Sequence, residues 1–435
     1  MIHIPFFYIS SKKFTRTLKK KVVDFTGCCY SLENLKGCTR QMKRKIFYVL
    51  STVTVILFLL FCVLFDWNQV NSYKSYNTST LNYVRGKVTS VEAENLTKDS
   101  LDSDRYYGTQ ELIVEIFEGY YEGEQIRITN YLSNSSNVLV SEGQRVIVCV
   151  DMPENAEAYF TVYNYDRTIP LTIVFGVFAL AMIMVGGMKG LKALGGLIVT
   201  MVVILFFLVQ AIYHGIQVVP CTILALFIVV FLALFIMNGI EKKTVLFAAS
   251  TLTGIAVAAA FCMAAQKMLH VTGYNFSEAE SLVLISQSTG LEIRHLLFAG
   301  VLISSMGAVM DVGVSIVSAL YEVKRANPAQ SRKELFTAGM NIGKDMIGTM
   351  SNTLILAFTG TSLTTMLLLM AFGYQPAQLI NSDYLTLEIV RGISSTFAVI
   401  MTVPVSSAIC AAFIGQDHYQ FMKMIASEDD YHRNK

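Results

Sequence analysis

The chain has 435 residues, of which 53% are hydrophobic and only 15% are charged, and its mean hydropathy is +0.50. A soluble globular chain carries roughly a quarter charged residues, so this composition excludes an ordinary soluble protein and indicates a membrane protein. Neither CxxC nor Cys/His spacing suggests a metal site. We therefore expect the lipid bilayer as a partner, no nucleic acid and no cofactor.

Residues 1–45 form a basic leader, which we predict to be cytoplasmic, and Met42 is an alternative start. The apolar run Ile46–Phe65 follows three basic residues, as the core of a signal peptide would. It is long, however, and lacks a small-residue cleavage site. We therefore predict an uncleaved transmembrane anchor helix over residues 46–66.

Residues 67–168 have the pattern of a β domain. The segment "TQELIVEIFEGYYEGEQIRITNYL" alternates apolar and polar residues, and Glu118-Gly119 and Glu122-Gly123 supply turn residues. A small barrel of about five strands, of the OB or SH3-like kind, fits such short runs. We predict that this domain is extracytoplasmic and is inserted between the first and second membrane helices.

Seven further apolar runs follow within residues 169–414, which gives an all-α polytopic membrane bundle of about eight transmembrane helices. Each run has the roughly 20 apolar residues that cross about 30 Å of hydrocarbon. The runs are Ile169–Gly187, Ala193–Tyr213, Val218–Gly239, Thr244–Gln266, His295–Val323, Thr349–Phe372 and Ile389–Ile414. Lys and Arg concentrate in alternate short loops, which predicts that both termini, including the tail 415–435, are cytoplasmic in a bacterial plasma membrane.

One loop has a helical signature of its own. Ser331 and Glu334 form a capping box ahead of "LFTAGMNIGKDMIG", which has a broad apolar side. We predict a cytoplasmic amphipathic helix over residues 331–347, lying along the inner membrane surface.

The segment "MGAVMDVGVSIVSALYEV" places Asp311 in an otherwise apolar or small-residue run. Asp311 lies eleven residues before Glu322, about 16 Å along a helix axis, and so near the bilayer midplane. An ionised carboxylate there costs at least about 2.5–3.5 kcal/mol, so such residues usually face a bundle interior or a water-filled cavity. Asp311 is therefore the candidate ion- or proton-coupling residue.

Polar residues at helical spacing extend this site to three C-terminal helices. The candidates for lining a pathway are Ser304, Ser315, Ser318, Asn352, Thr359, Arg391 and Thr402. Stripes of small and hydroxyl residues also let membrane helices pack closely. A simple packing role remains open for the serines and threonines.

Two long segments carry a family resemblance. "LLFAGVLISSMGAVMDVGVSIVSALYEV" and "ELFTAGMNIGKDMIGTMSNTLILAFTGTSL" resemble the YibE/F family of bacterial integral membrane proteins, and the likeness extends from about Met42 to about Ile414. The resemblance implies a transporter-like membrane protein and supplies no binding residues. A fainter likeness is to SecD/SecF and resistance-nodulation-division exporters, in which a midplane Asp, an amphipathic cytoplasmic helix and a Thr-rich helix start follow one another.

Two functions fit these observations. The first is a secondary transporter or exporter of an unknown small solute or ion, coupled through the intramembrane Asp. The second is a non-transporting membrane scaffold whose β domain binds envelope partners. Both leave room for a homo-oligomer or a related membrane subunit. We expect no enzyme, because no GxSxG, HExxH, P-loop or paired-carboxylate arrangement is present.

Overall fold

A computed structural model gives the architecture of the protein. It describes residues 56, 58–65, 80–100, 104–153, 157–239, 241–271, 282–283, 285–287 and 290–414. The predicted leader, most of the predicted anchor and the predicted tail lie outside these residues. The described end of the anchor is helical, and its Phe58 and Leu59 pack against the helical core.

The N-terminal part of the described chain is a five-stranded antiparallel sheet. The strands are β1 (Leu81–Lys98), β2 (Tyr106–Ile116), β3 (Gln125–Leu132), β4 (Arg145–Asp151) and β5 (Tyr159–Tyr165). Their order is β3-β2-β1-β4-β5, and the two edge strands, β3 and β5, also contact each other, so the sheet curls back on itself. The prediction of a small β structure of about five strands is confirmed, while its barrel type and its extracytoplasmic location stay predictions.

Alternating apolar residues create the core of this domain. In β2, Leu112, Val114 and Ile116 are fully buried while the residues between them are only half-buried, as expected of a strand with one face inward. Two register shifts in β1, between Val88 and Ser90 and between Val91 and Ala93, are bulges. Bulges increase local twist and bend a strand, which helps the 18-residue β1 wrap around the core.

A buried polar network closes one side of the sheet. Gln110 accepts hydrogen bonds from the Asn130 side chain and from the Val140 backbone N–H, both at 3.1 Å. Its amide nitrogen donates to the Val140 carbonyl at 3.0 Å and to Glu94 at 2.7 Å. Gln110 and Asn130 are almost fully buried. Such satisfied networks tie the segment after β3 to one register.

The rest of the described chain is helical. The helices are α1 (Thr168–Val202), α2 (Val218–Asn238), α3 (Lys242–Met268), α4 (Ile293–Ala326), α5 (Arg332–Thr361), α6 (Leu363–Ala371), α7 (Pro376–Ile380) and α8 (Asp383–Ile414). A π-helical turn, Val203–Leu208, and a short helix, Val209–Tyr213, continue α1.

Gly187 divides α1 into two parts. The stretch Thr168–Tyr213 has 46 residues, about 69 Å of helix, which is more than twice the roughly 30 Å of a bilayer core. Gly187 has φ 54° and ψ −135°, outside the helical region. A Cβ at Gly190 would overlap the carbonyl of Met182, so the chain turns sharply at this point. The break falls at the end of the predicted span Ile169–Gly187.

Five helical stretches in the described residues are long and apolar enough to cross a membrane, and α5 with α6 makes a sixth if the bent pair is one span. The protein is therefore a membrane protein with a mostly helical body. The count of eight spans stays a prediction, because most of the anchor is outside the described residues and the break in α1 leaves two segments within one stretch.

The structure differs from the prediction at α5. The capping box at Ser331 and Glu334 is confirmed by reciprocal hydrogen bonds of 3.3 and 2.8 Å. No boundary follows residue 347, however, because one helix of 30 residues runs from Arg332 to Thr361. The predicted amphipathic helix and the start of the next span are therefore one continuous element.

Small residues bring α5 against α8. A Cβ at Gly339 would overlap the Ser407 hydroxyl, and a Cβ at Gly343 would overlap a methyl group of Val403. At the centre of the bundle, Gly254 of α3 is equally close to Thr402 of α8. Close backbone approach of this kind is the usual means of packing membrane helices, because lipid offers no hydrophobic gain.

Candidate functional site

Asp311 lies in the middle of α4, eighteen residues after its start at Ile293 and fifteen before its end at Ala326. Gly307, Ser315, Ser318 and Glu322 share its face, as the spacing predicts. All five are exposed in the single chain. We call these five residues the acidic stripe.

The acidic stripe points away from the helical bundle. Leu320 follows Asp311 by nine residues, about two and a half helical turns, and so lies on the opposite side of α4. Leu320 is fully buried and lies against Gly339 of α5. Val309 and Gly313, on the same side as Leu320, meet α3. The carboxyl therefore emerges on the outer surface of a single copy.

Within the described residues Asp311 has neither an ion pair nor a hydrogen bond to another side chain. Arg391, one candidate neighbour, pairs instead with Glu388 on its own helix at 2.9 Å. No cation in the described part of the chain therefore neutralises this mid-helix carboxyl.

The other predicted residues are spread over different surfaces. Asn352 and Thr359 lie on an exposed face of α5, and Ser304 is half-buried and donates to the Val301 carbonyl at 2.9 Å. Thr402 is fully buried and donates to the Ala398 carbonyl at 2.7 Å. The structure groups Ser315 and Ser318 with Asp311.

A second polar feature runs through the bundle centre, between α3 and α8. Two contacts fix how these helices align: Gly254 lies against Thr402, and the rings of Phe261 and Phe397 stack with their centroids 4.3 Å apart. The helices are therefore antiparallel. One turn from the first contact, Ser250 and Ser406 come to the same level. We call this line of buried polar residues the hydroxyl seam.

Several hydroxyls of the seam lack a partner. In membrane helices, Ser and Thr usually donate to a backbone carbonyl of the preceding turn, as Thr402 does. Ser250, Thr251, Ser395 and Ser406 are fully buried, and their hydroxyl oxygens have no hydrogen-bond partner in the described part of the chain. An unmade bond of this kind is costly in a low-dielectric interior. The seam is therefore a line of hydroxyl groups with unused hydrogen-bonding capacity between two closely packed helices.

Sequence reasoning missed the α3 side of this seam. Ser250 and Gly254 are four residues apart, the spacing that lets two helices approach closely. That signal identifies a helix-packing face but does not identify α8 as its partner. On the α8 side, Ser395 and Ser406 recur at helical spacing with Thr402, a predicted candidate, and the structure places all three in the seam.

A helix break lies at the end of α5, between α5 and α6. The predicted span Thr349–Phe372 contains the end of α5 and all of α6, and the two helices are bent by 53°. Ser362 sits at the bend, where both its backbone N–H and its hydroxyl donate to the Phe358 carbonyl, at 3.1 and 3.0 Å. Discontinuous helices recur in transporters, where they expose backbone groups beside a binding site.

No group of three or more His, Cys, Asp or Glu that could hold a metal ion was found in the described ranges. The acidic stripe has two carboxyls, of Asp311 and Glu322, and the hydroxyl seam is built from serine and threonine side chains. This donor set suits proton transfer and hydrogen bonding.

Comparisons with known proteins identify two family models that match separate parts of the chain. Residues 174–416 match the family described as YibE/F-like protein, and residues 80–165 match the YibE/F family N-terminal domain. The second match ends where β5 ends, and the first begins just inside α1. Neither a curated protein nor a solved structure matches the chain.

Proposed function

Because the chain belongs to the YibE/F family of membrane proteins, we propose that it is a secondary transporter or exporter coupled to protonation of Asp311. Its substrate is a small solute or ion of unknown identity. We place it in a bacterial plasma membrane, with both termini cytoplasmic and the β domain outside. We further propose that the curled sheet is an OB-like barrel, in which contact between β3 and β5 closes the ring.

The observation that carries this proposal is the unpartnered carboxyl on the outer surface of α4. An ionised carboxylate facing hydrocarbon costs about 2.5–3.5 kcal/mol or more. The exposed orientation is therefore stable while the carboxyl holds a proton, and the ionised form is stable only beside water or another polar surface. Asp311 can therefore lose its proton only when water or a polar surface replaces hydrocarbon beside α4. This requirement couples proton transfer to a change of conformation.

The hydroxyl seam supports a pathway for the solute. It crosses the bundle between α3 and α8, and α4 packs against both of these helices. Movement of α4 as Asp311 changes its proton occupancy would alter the same helix interfaces. The bend between α5 and α6 offers a hinge beside them.

The test compares wild type with Asp311→Asn, which keeps the shape and hydrogen bonding of the side chain but removes its titration. A deletion strain is screened against toxic ions, drugs and peptides, and the sensitive compound is then followed in proteoliposomes under a pH gradient. We expect Asp311→Asn to abolish gradient-driven movement and Asp311→Glu to restore part of it.

Glu322→Gln is the matched control, because Glu322 lies on the same stripe near the end of α4 and is exposed. It should leave coupling unchanged. Full gradient-driven transport by Asp311→Asn would refute the proposal. A chain that moves no compound, while the Asp311→Asn variant keeps its abundance and its partner binding, would instead be the scaffold.

A further inference from the structure

The β domain contains a cavity of about 400 Å³. It lies at the end of the sheet where β1 begins and β4 finishes, beside the paired residues Leu81, Asp151 and Tyr159. The opposite end of β5 leads through Tyr165 into α1. The cavity therefore opens at the end of the sheet remote from the connection to α1.

Three aromatic rings contribute to the cavity wall. Tyr83, Tyr120 and Tyr121 line it. Tyr120 and Tyr121 meet edge to face with ring centroids 5.1 Å apart, and Tyr121 meets Phe160 in the same way at 5.1 Å. Tyr83 has an edge contact with Tyr163 at 4.9 Å. Edge-to-face pairs fix the rings, so the cavity is bounded by aromatic groups held in place by neighbouring rings.

The charged side chain in the cavity wall is acidic. Glu118 lines it, and its carboxylate accepts a hydrogen bond from the Arg85 backbone N–H at 3.0 Å, which fixes its position. The Arg85 guanidinium stays 3.9 Å away and is half-exposed, so it neutralises this acid only weakly. Neither Lys nor Arg lines the cavity among the described residues.

The surroundings add to this negative potential. Glu122 and Glu124 lie in the same β2–β3 hairpin as Glu118. Residues 80–165 carry 14 acidic and 6 basic side chains, a formal net charge of −8 in a chain whose total is +2. The acid content is thus concentrated in the domain that contains the cavity, and it attracts cations.

We propose that this cavity binds an organic ammonium ion. Aromatic faces together with a carboxylate are the groups that recognise an alkylated ammonium, because the ring quadrupole attracts the charge while the ring body contacts the methyl groups. The apolar floor, formed by Val84, Ile116 and Val150, suits an alkyl substituent. The cavity volume is within the usual range of roughly 300–1,000 Å³ for small-ligand sites. This inference is independent of transport, since binding needs no gradient.

The test uses the full-length protein in phosphatidylglycerol nanodiscs, which contain no quaternary ammonium lipid. Choline and its uncharged isostere 3,3-dimethylbutan-1-ol are titrated by calorimetry. We expect saturable choline binding and at least tenfold weaker binding of the isostere. Tyr83→Leu should weaken choline binding about 3- to 30-fold, and Glu118→Gln should weaken it while preserving the shape of the cavity.

Tyr131→Leu is the matched control, because Tyr131 is an exposed tyrosine on β3 that does not line the cavity. It should bind choline as wild type does. Equal binding of choline and its isostere would overturn the proposal, because the site would then recognise shape alone. Absence of choline binding would overturn it as well, even if the cavity binds a neutral ligand such as a disaccharide.

Discussion

Replacement of Gly343 by Ala tests the close packing of α5 on α8. The added Cβ would overlap one methyl carbon of Val403 and lie 3.0 and 3.1 Å from its other methyl carbon and its Cβ. Val403 is fully buried, and a β-branched side chain in a helix has essentially one rotamer. The side chain therefore cannot swing away, and the two helices must separate. Overpacking of this kind typically costs about 1–3 kcal/mol.

Gly348→Ala on the same helix is the control, since no atom lies within 4 Å of its added Cβ. Both substitutions gain about 0.5–1 kcal/mol of helix propensity. The difference between the two variants therefore isolates the overlap, and we expect Gly343→Ala to be less stable by about 1–3 kcal/mol. Unfolding in mixed micelles with increasing sodium dodecyl sulfate measures this difference.

A second substitution checks the cause. In a Val403→Ala background the two methyl groups are absent, so Gly343→Ala should become neutral or stabilising. The coupling between the two sites should be about 0.5–3 kcal/mol. Equal stability of the Gly343→Ala and Gly348→Ala variants would contradict the close approach of the two helices. The same loss of stability from Gly343→Ala with Val403 and with Ala at that position would contradict it too.

Two predictions concern the β domain and its junction with α1. Gln110→Leu should destabilise the protein by about 1–3 kcal/mol for each buried group left unpaired. Gln125→Leu, at an exposed position of β3, should have little effect, and equal thermal shifts of the two variants would contradict the network. Hydrogen bonds from Thr168 hold the pKa of Asp166 below its usual range. Ionised Asp166 therefore stabilises the folded protein. This contribution is complete above the unfolded pKa, about 3.9, and is lost as the pH falls through the folded pKa. The stability difference between wild type and Asp166→Asn should therefore shrink in acid, and a constant difference in stepwise pH unfolding would refute this.

The strands and most long helices could be predicted because each has a local cause. Alternation in β2 follows from one buried face, and the capping box at Ser331 is a four-residue signal. The central position of Asp311 in α4 also follows from sequence spacing. These features depend on neighbours along the chain, which a sequence displays directly.

The direction in which Asp311 points could not be predicted in the same way. Both sides of α4 carry small residues, and Gly313 on the buried side resembles Gly307 on the exposed side. Only the positions of α3 and α5 decide between them. For the same reason, Gly339 and Gly343 gave no sign that the amphipathic segment packs on α8. Such contacts depend on residues far apart in the chain.

The most direct test of the central claim is chemical labelling of Asp311. Dicyclohexylcarbodiimide partitions into membranes and reacts with protonated carboxyl groups, and mass spectrometry locates the adduct. The account predicts labelling of Asp311 that increases as the pH is lowered and is lost in Asp311→Asn, while solvated Glu322 is labelled far less. Absence of an Asp311 adduct, or labelling that does not change with pH, would contradict a surface carboxyl that takes up and releases a proton.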